Sequence, residues 1–289
     1  MAFKSSGINP QKFDVSQLKF YIFLVPFAIF MALPIIFIFN HAFKPLDELY
    51  AFPPRFFVNN PTLENFQNLS QLAEQSGIPL SRYVFNSLFV TVIVVFLSLA
   101  LSTLAGYALS KKQFRGKKML LEINNTALMF VPIAVMIPRF LTVTTIGIED
   151  TYFAHVLPLV AMPVGLFLIK QFIDQIPDSL IEAAVIDGAT DFKIYWRVIL
   201  PLIKPAIATA AILAFQLVWN DMETSNLYTT SENMRTLAFF MNTLAAQTNV
   251  VVGQGMAAVA SMIMFVPNLI LFVVLQSKVM NTMAHSGLK

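Results

Sequence analysis

The sequence predicts an all-α, polytopic membrane protein with six transmembrane helices, and two observations carry that prediction. The chain is 57% hydrophobic and only 12% charged, with a mean hydropathy of +0.69 over 289 residues, too apolar for an ordinary water-soluble domain. Its apolar residues also gather into six runs close to the roughly 20 residues that a helix needs to cross the hydrocarbon, where lipid cannot satisfy exposed backbone groups.

The first run, Leu18–Phe39, follows Lys4, Lys12 and Lys19 and so has the outline of a secretory signal. It is too long, and no small-residue cleavage site follows it, so it reads as an uncleaved anchor. Pro26 and Pro34 are expected to bend it. In the connection from Asn40 to Ser81, the polar stretch Glu64–Gln75 is expected to form a short amphipathic helix against the bilayer face. The second run, Tyr83–Leu109, carries Ser98, Ser102 and Gly106 at four-residue spacing, a small-residue ridge that lets another backbone approach.

The third run, Met119–Thr145, contains Pro132 and Pro138, and the fourth, Phe153–Ile173, contains Pro158 and Pro163. Each proline removes a backbone donor inside the membrane, so bent or broken helices are expected, packed on neighbours or lining a wet pathway. The fifth run is Leu200–Trp219. A long connection, Asp221–Val251, leads to the sixth, Gly255–Gln276, where Gly255, Ala258 and Ser261 form a second small-residue face.

The basic residues set the orientation. With both termini, the loop 110–118 and the segment 174–199 inside, fourteen of the 19 lysines and arginines are cytoplasmic. Only Lys44, Arg55, Arg82 and Arg235 fall outside, with Arg139 in or near the third span, which is a positive-inside pattern. The net charge of +3 therefore reports topology and gives no reason to expect nucleic acid. The basic loop Lys111–Lys118 suits an anionic lipid leaflet. There is no cysteine, hence no disulfide or thiolate chemistry.

Between the fourth and fifth runs lies Ser179-Leu180-Ile181-Glu182-Ala183-Ala184-Val185-Ile186-Asp187-Gly188-Ala189. A polar, small-residue helix there has no hydrocarbon to meet, so it is expected to meet a protein. Ser179 with Glu182 reads as a capping box, and Gly188 can take the left-handed conformation that ends a helix. A second helix then runs through Asp191, Trp196 and Arg197, and Pro201 and Pro205 lead into the fifth span.

Glu182-Ala183-Ala184, Asp187-Gly188-Ala189 and Ile199-Leu200-Pro201 with Pro205 resemble the coupling motif of permease subunits of ATP-binding-cassette importers. Glu64-Asn65-Phe66, Asn86-Ser87, Gly106-Tyr107-Ala108, Phe114-Arg115-Gly116, Asp150-Thr151-Tyr152, Ile176-Pro177 and Trp219-Asn220-Asp221 extend the resemblance to the carbohydrate-uptake branch. The resemblance implies a five-helix permease core over residues 83–289, with the coupling segment at 177–197, preceded by a region 1–82 holding the first span and a long external loop. It implies that Ser179, Glu182, Ala183, Ala184, Asp187, Gly188 and Pro201 couple to an ATPase, with Glu182 facing a basic partner residue. The implied partners are a second homologous permease, two ATPase subunits, an extracytoplasmic solute-binding protein and a sugar, at the cytoplasmic membrane of a bacterium. The tail Met283–Lys289 departs from the glycine-rich ending of many relatives.

The chain lacks an energy source of its own. No Gly-x-x-x-x-Gly-Lys-[Ser/Thr] phosphate cradle occurs, so ATP and its Mg must be handled by partner subunits, with no cofactor on this chain. His41, His155 and His285 have no metal-ligand spacing, and no serine sits in a nucleophile-elbow sequence, so no enzyme is expected. Glu122, Arg139, Lys170 and Lys204 lie near span ends, which weakens an ion-coupled secondary transporter as the alternative. An importer of a non-sugar solute stays open beside it. For the substrate pathway the candidates are Asn86 with Ser87, Asn124, Asn125, Gln216, Trp219 and Asn220, whose amides and indole suit sugar hydroxyls and ring faces and equally suit bridging packed helices.

Overall fold

The computed structural model describes residues 18–75, 77–247 and 252–286, apart from the side chains of 245–247, 252 and 277–286. Lys4, Lys12, Lys289 and the side chains of the tail from Met283, which bear on the expectations above, lie outside the described residues. Every regular element described is helical. In chain order they are α1 (Leu18–Ala42), the single turn α2 (Leu46–Leu49), α3 (Glu64–Gln75), α4 (Leu80–Lys111) and α5 (Lys117–Met129). A 3-10 turn, Pro132–Val135, leads into α6 (Met136–Ile146), followed by α7 (Tyr152–Val160), α8 (Pro163–Asp174) and α9 (Asp178–Ile186). Then α10 (Asp191–Ile194) passes through a π-helical turn, Tyr195–Ile199, into α11 (Leu200–Leu202), α12 (Lys204–Trp219) and α13 (Glu223–Tyr228). After a 3-10 turn at Glu232–Met234 come α14 (Leu237–Gln247) and α15 (Val252–Ser286).

Three of these segments are long and apolar enough to cross a membrane unbroken: α1, α4 and Gly253–Gln276 of α15. Three further candidate crossings are helix pairs, α5 with 132–146 bent by 112°, α7 with α8 by 43°, and 191–202 with α12 by 79°. The span count is thus three, or up to six if each pair is one span. The third run is therefore two arms and not a single bent helix. Val131, ahead of Pro132, is extended at φ −76°, ψ 133°, as a residue before proline prefers, and the chain turns there. Pro138 causes no break because it sits in the first turn of α6, where its missing N–H is harmless. Pro158 stays within α7, and the break falls at 161–162, just ahead of Pro163.

The fifth span starts at Lys204 and not at Leu200. Pro205 has no N–H to offer the Pro201 carbonyl, and Ile203 leaves helical geometry at φ −94°, ψ 11°. Leu200–Leu202 consequently belongs to the preceding rod.

The chain divides into two compact units: residues up to Leu69 with 248–262, and 70–247 with residues from Ile263 on. In the first unit, buried Asn65 donates to the carbonyls of Ala42 (3.1 Å) and Lys44 (2.7 Å), closing the end of α1. The Glu48 carboxylate accepts the N–H groups of Asn59 (3.0 Å) and Asn60 (2.8 Å), which shape the loop that follows. Gly255 packs its bare Cα against the Asn65 amide, so this small-residue position receives a side chain and not a second helix backbone.

In the second unit α4 is the central post, packed by α7, α8 and α12. The Ser98/Ser102/Gly106 ridge meets α8: a Cβ on Gly106 would stand 3.1 Å from Ile169, and one on Gly165 would stand 3.5 Å from the Ser102 hydroxyl. Burying Ile169 against protein in place of lipid gains little transfer energy, so the small residues stabilise the pair by letting the helices make dense van der Waals contact. Ser98 Oγ donates to the Val160 carbonyl at 2.8 Å, taking up an acceptor at the α7–α8 break.

Candidate functional site

The segment 176–203 forms an elbow at the C-terminal end of α4. Helix α9 begins at Asp178, directly after Pro177 in extended geometry at φ −60°, ψ 137°, and no side chain caps it. The expected capping box is therefore not made: Ser179 is the second residue of the helix and Glu182 its fifth, and both are exposed. With Pro177 at its N-cap the helix starts two residues earlier than a Ser179 cap would set it, and Asp178 brings its carboxylate to the positive end of the helix.

The far end of α9 is closed by its own backbone. Gly188 stands at φ +75°, its N–H reaches the Val185 carbonyl at 2.9 Å, and the Ala189 N–H reaches the Ala184 carbonyl at 2.9 Å. This pair of bonds is the Schellman arrangement, with Gly188 in the left-handed position.

The two faces of α9 differ. Ile181 and Ala184, three residues apart, pack with Ala189 on a core formed by Tyr107, Ile173, Ile176, Ile194, Tyr195 and Ile199. Leu180, Glu182, Ala183, Val185 and Ile186 face away, with Ile186 86% exposed. Phe192 and Trp196 extend the exposed apolar surface past the corner. Of the two alanines in the motif, Ala183 is thus outward and Ala184 half-buried against its own bundle.

The elbow is fastened to α4 by side chains. Lys111 Nζ donates to the Ile176 carbonyl at 2.6 Å and to Asp178 Oδ1 at 2.7 Å. Its side chain is 9% exposed whereas that of Asp178 is 74% exposed, so the carbonyl bond carries more of the hold than the screened ion pair. Lys112 pairs with Asp191, and that carboxylate holds the ammonium above the usual lysine range. Ser110 Oγ donates to Asp174 at 2.6 Å, and the hydroxyls of Thr103 and Tyr195 meet at 2.8 Å. These fastenings were not legible in the sequence, where Lys111 and Lys112 stood only as orientation charges; their partners lie 67 and 79 positions away. The acidic residue opening each elbow helix, Asp178 and Asp191, was the one available signal.

The opposite end of α4 holds the loop 229–236. Asn86 is fully buried, donating to the carbonyls of Asn233 and Arg235 and accepting from Tyr152 Oη, all at 2.8 Å. Ser87 Oγ accepts the Leu237 N–H at 2.8 Å. The Asp150 carboxylate, on a residue at φ +58°, accepts the N–H and hydroxyl of both Thr230 and Ser231, which pull its pKa down to about 2. His155 sits among Thr224, Thr229 and the Met234 carbonyl.

Of the other pathway candidates, Trp219 is buried, stacked on Phe215 and donating to the Met264 carbonyl at 3.0 Å. Asn220 closes α12 by donating to the Gln216 carbonyl at 2.8 Å, and the Gln216 side chain is exposed. Asn124 stands 3.5 Å from the Pro163 carbonyl at the α7–α8 break, with Asn125 exposed beside it. The candidates therefore do not converge on one cavity.

Among the described residues, helices long and apolar enough to cross a membrane, with an exposed elbow fastened to α4 between two jointed helix pairs, define a multi-pass membrane protein. The chain belongs to the family of binding-protein-dependent transport system inner membrane components, which its residues 98–277 match. Among its relatives, the polygalacturonan/rhamnogalacturonan transport system permease protein YtcP of Bacillus subtilis (strain 168) is 34% identical over 208 residues, 72% of this chain and 70% of that one. The trehalose transport system permease protein SugB of Mycobacterium tuberculosis (strain CDC 1551 / Oshkosh) is 30% identical over 192 residues, 66% of this chain and 68% of that one. The fold is shared with a chain of a bacterial ABC transporter involved in import of the acidic polysaccharide alginate, at TM-score 0.79 and 24% identity, covering 93% of this chain and 99% of that one.

Proposed function

We propose that this chain is the permease subunit of an ATP-driven importer for a sugar or oligosaccharide, and that α9 is its coupling helix. The observation that carries the reading is the exposed edge of α9, where Leu180, Val185 and Ile186 stand beside Glu182 on a helix whose start is held to α4 by Lys111, with α10 beyond it held by Lys112. An apolar ridge flanked by charge, at the end of the bundle where lysines cluster, fits a protein groove. The cytoplasmic ATPase pair would hold that ridge, bind ATP and Mg themselves, and on closing carry the elbow with them. Movement of the elbow against α4 then opens the pathway to the far side, an alternating-access cycle of rigid bodies.

In this reading the C-terminal end of α4 is cytoplasmic, as are both termini, and the loop 229–236 faces a solute-binding protein. A second permease completes the pathway, to which Asn124, Asn125 and Gln216 contribute polar groups. The carbohydrate assignment draws on what the relatives YtcP and SugB are named for.

The test is uptake and ATPase co-purification with Glu182→Ala and Gly188→Asp. Both variants should insert normally, lose ATPase association and stop uptake. Wild-type ATPase yield with normal uptake in both would overturn the coupling role.

A further inference from the structure

We propose that the loop end of α4 carries a binding site for one neutral sugar residue, in the pocket between α3, α4 and α14. It rests on the carbohydrate reading above and adds a place on this subunit where the cargo is held. The pocket encloses about 370 Å³, within the range of small-ligand sites. One wall is aromatic, from Phe239 and Phe240, and the Phe240 ring is set by stacking on Tyr83 at 4.6 Å. The rim is polar, from Gln75, Glu232, Arg235 and Thr243.

The rim groups are preset. Arg235 pairs with Glu232 through Nη1 and lies over the Phe239 ring at 4.5 Å. The backbone beneath it does not yield, because the Asn233 and Arg235 carbonyls are held by Asn86, and Asn233 also by Arg82 Nε at 3.1 Å.

The lining chooses among ligand classes. An anion would meet the Glu232 carboxylate, a cation the Arg235 guanidinium, and a purely apolar group would leave the rim of Gln75, Glu232 and Thr243 without polar partners. A neutral pyranose offers an apolar C–H face for the aromatic wall and hydroxyls that both donate and accept. Those hydroxyls match the acceptors Glu232 and Thr243, the O–H of Thr243 being given to the Phe239 carbonyl at 3.0 Å, and the two-way amide of Gln75.

The experiment uses the permease–ATPase assembly in lipid nanodiscs without binding protein, observed by saturation-transfer NMR. The probes are the methyl glycosides of glucose, galactose and mannose, with glucuronate as the charged comparison. At least one methyl glycoside should bind with a Kd of about 1 mM, and glucuronate more weakly. Thr243→Trp, which fills the pocket, should weaken binding by about tenfold or more, and Glu232→Gln, which keeps the shape, should weaken it less. If Thr243→Trp fails to assemble, Glu232→Gln decides.

No saturable signal from the wild type, tighter binding of glucuronate, or binding unchanged in the deciding variant would overturn the site. Carbohydrate uptake by the wild-type transporter in proteoliposomes with no such binding would sink the pocket and leave the transport reading standing. Glycoside binding sensitive to these variants, in an assembly that takes up no carbohydrate, would do the reverse.

Discussion

Replacing Gly188 isolates the backbone contribution to the elbow. A Cβ built on Gly188 meets nothing within 4 Å, so Gly188→Ala introduces no clash and leaves only the cost of holding an L-residue at φ +75°. That cost is about 1–2 kcal/mol, which corresponds to an increase of about 5- to 30-fold in the population of elbows that have opened. Asn tolerates the left-handed region better than Ala, so Gly188→Asn should fall below that range. The assay is hydrogen exchange on the transporter in nanodiscs, following the amides of Gly188 and Ala189, which close the helix onto Val185 and Ala184. Both variants keep those amides. The reasoning is refuted if Ala leaves exchange at 178–189 unchanged, or if Asn accelerates it as much as Ala does.

Lys111→Met removes the bond to the Ile176 carbonyl, a charge-assisted bond worth about 1.5–3 kcal/mol, while the exposed Asp178 partner adds at most about 1 kcal/mol. Proteolysis and exchange at 176–182 should rise, whereas Lys118→Met, which removes a fully exposed pair with Glu122 at 4.0 Å, should change neither. Gly255→Ala would drive a Cβ into Asn65 Oδ1 and cost about 1–3 kcal/mol by displacing the amide from the Ala42 and Lys44 carbonyls. In Asn65→Ala that penalty should largely vanish, and additive losses in thermal stability would exclude the contact. The Asp150 carboxyl is depressed from 3.8 to about 2, so its stabilisation of the loop is complete above pH 3.8 and is lost as pH falls through 2. Exchange at Thr230 and Ser231 should thus be steady in its opening equilibrium from pH 7 to 5 and loosen below about pH 4, and in Asp150→Asn that acid step should be missing.

The helical class and the places of the spans were readable because lipid imposes them residue by residue: a run such as Tyr83–Leu109 has no alternative to a helix. Gly188 was readable for the same reason, since its demand is local to one φ angle. The 112° turn at Val131 was foreseen only as a bend or break, because a proline removes a bond and packing then chooses the angle. The capping box failed because Ser179 and Pro177 both mark helix starts, and the fixed φ of Pro177 prevailed. Asn86 and Trp219 show the limit of reading residue types. An amide and an indole suit a sugar, but here they satisfy carbonyls of neighbouring segments that lie far off in the chain.

Helix α4 runs 32 residues without a proline, about 48 Å at 1.5 Å per residue, while the candidate crossings at 117–146, 152–174 and 191–219 are jointed. The knots at its two ends, Lys111 and Lys112 on one side and Arg82, Asn86 and Ser87 on the other, are tied to different parts of the chain. Such a member has no proline joint at which to bend sharply. Tilting it shifts both knots together, so in the proposed importer a displacement at the elbow is felt at the loop 229–236 as well.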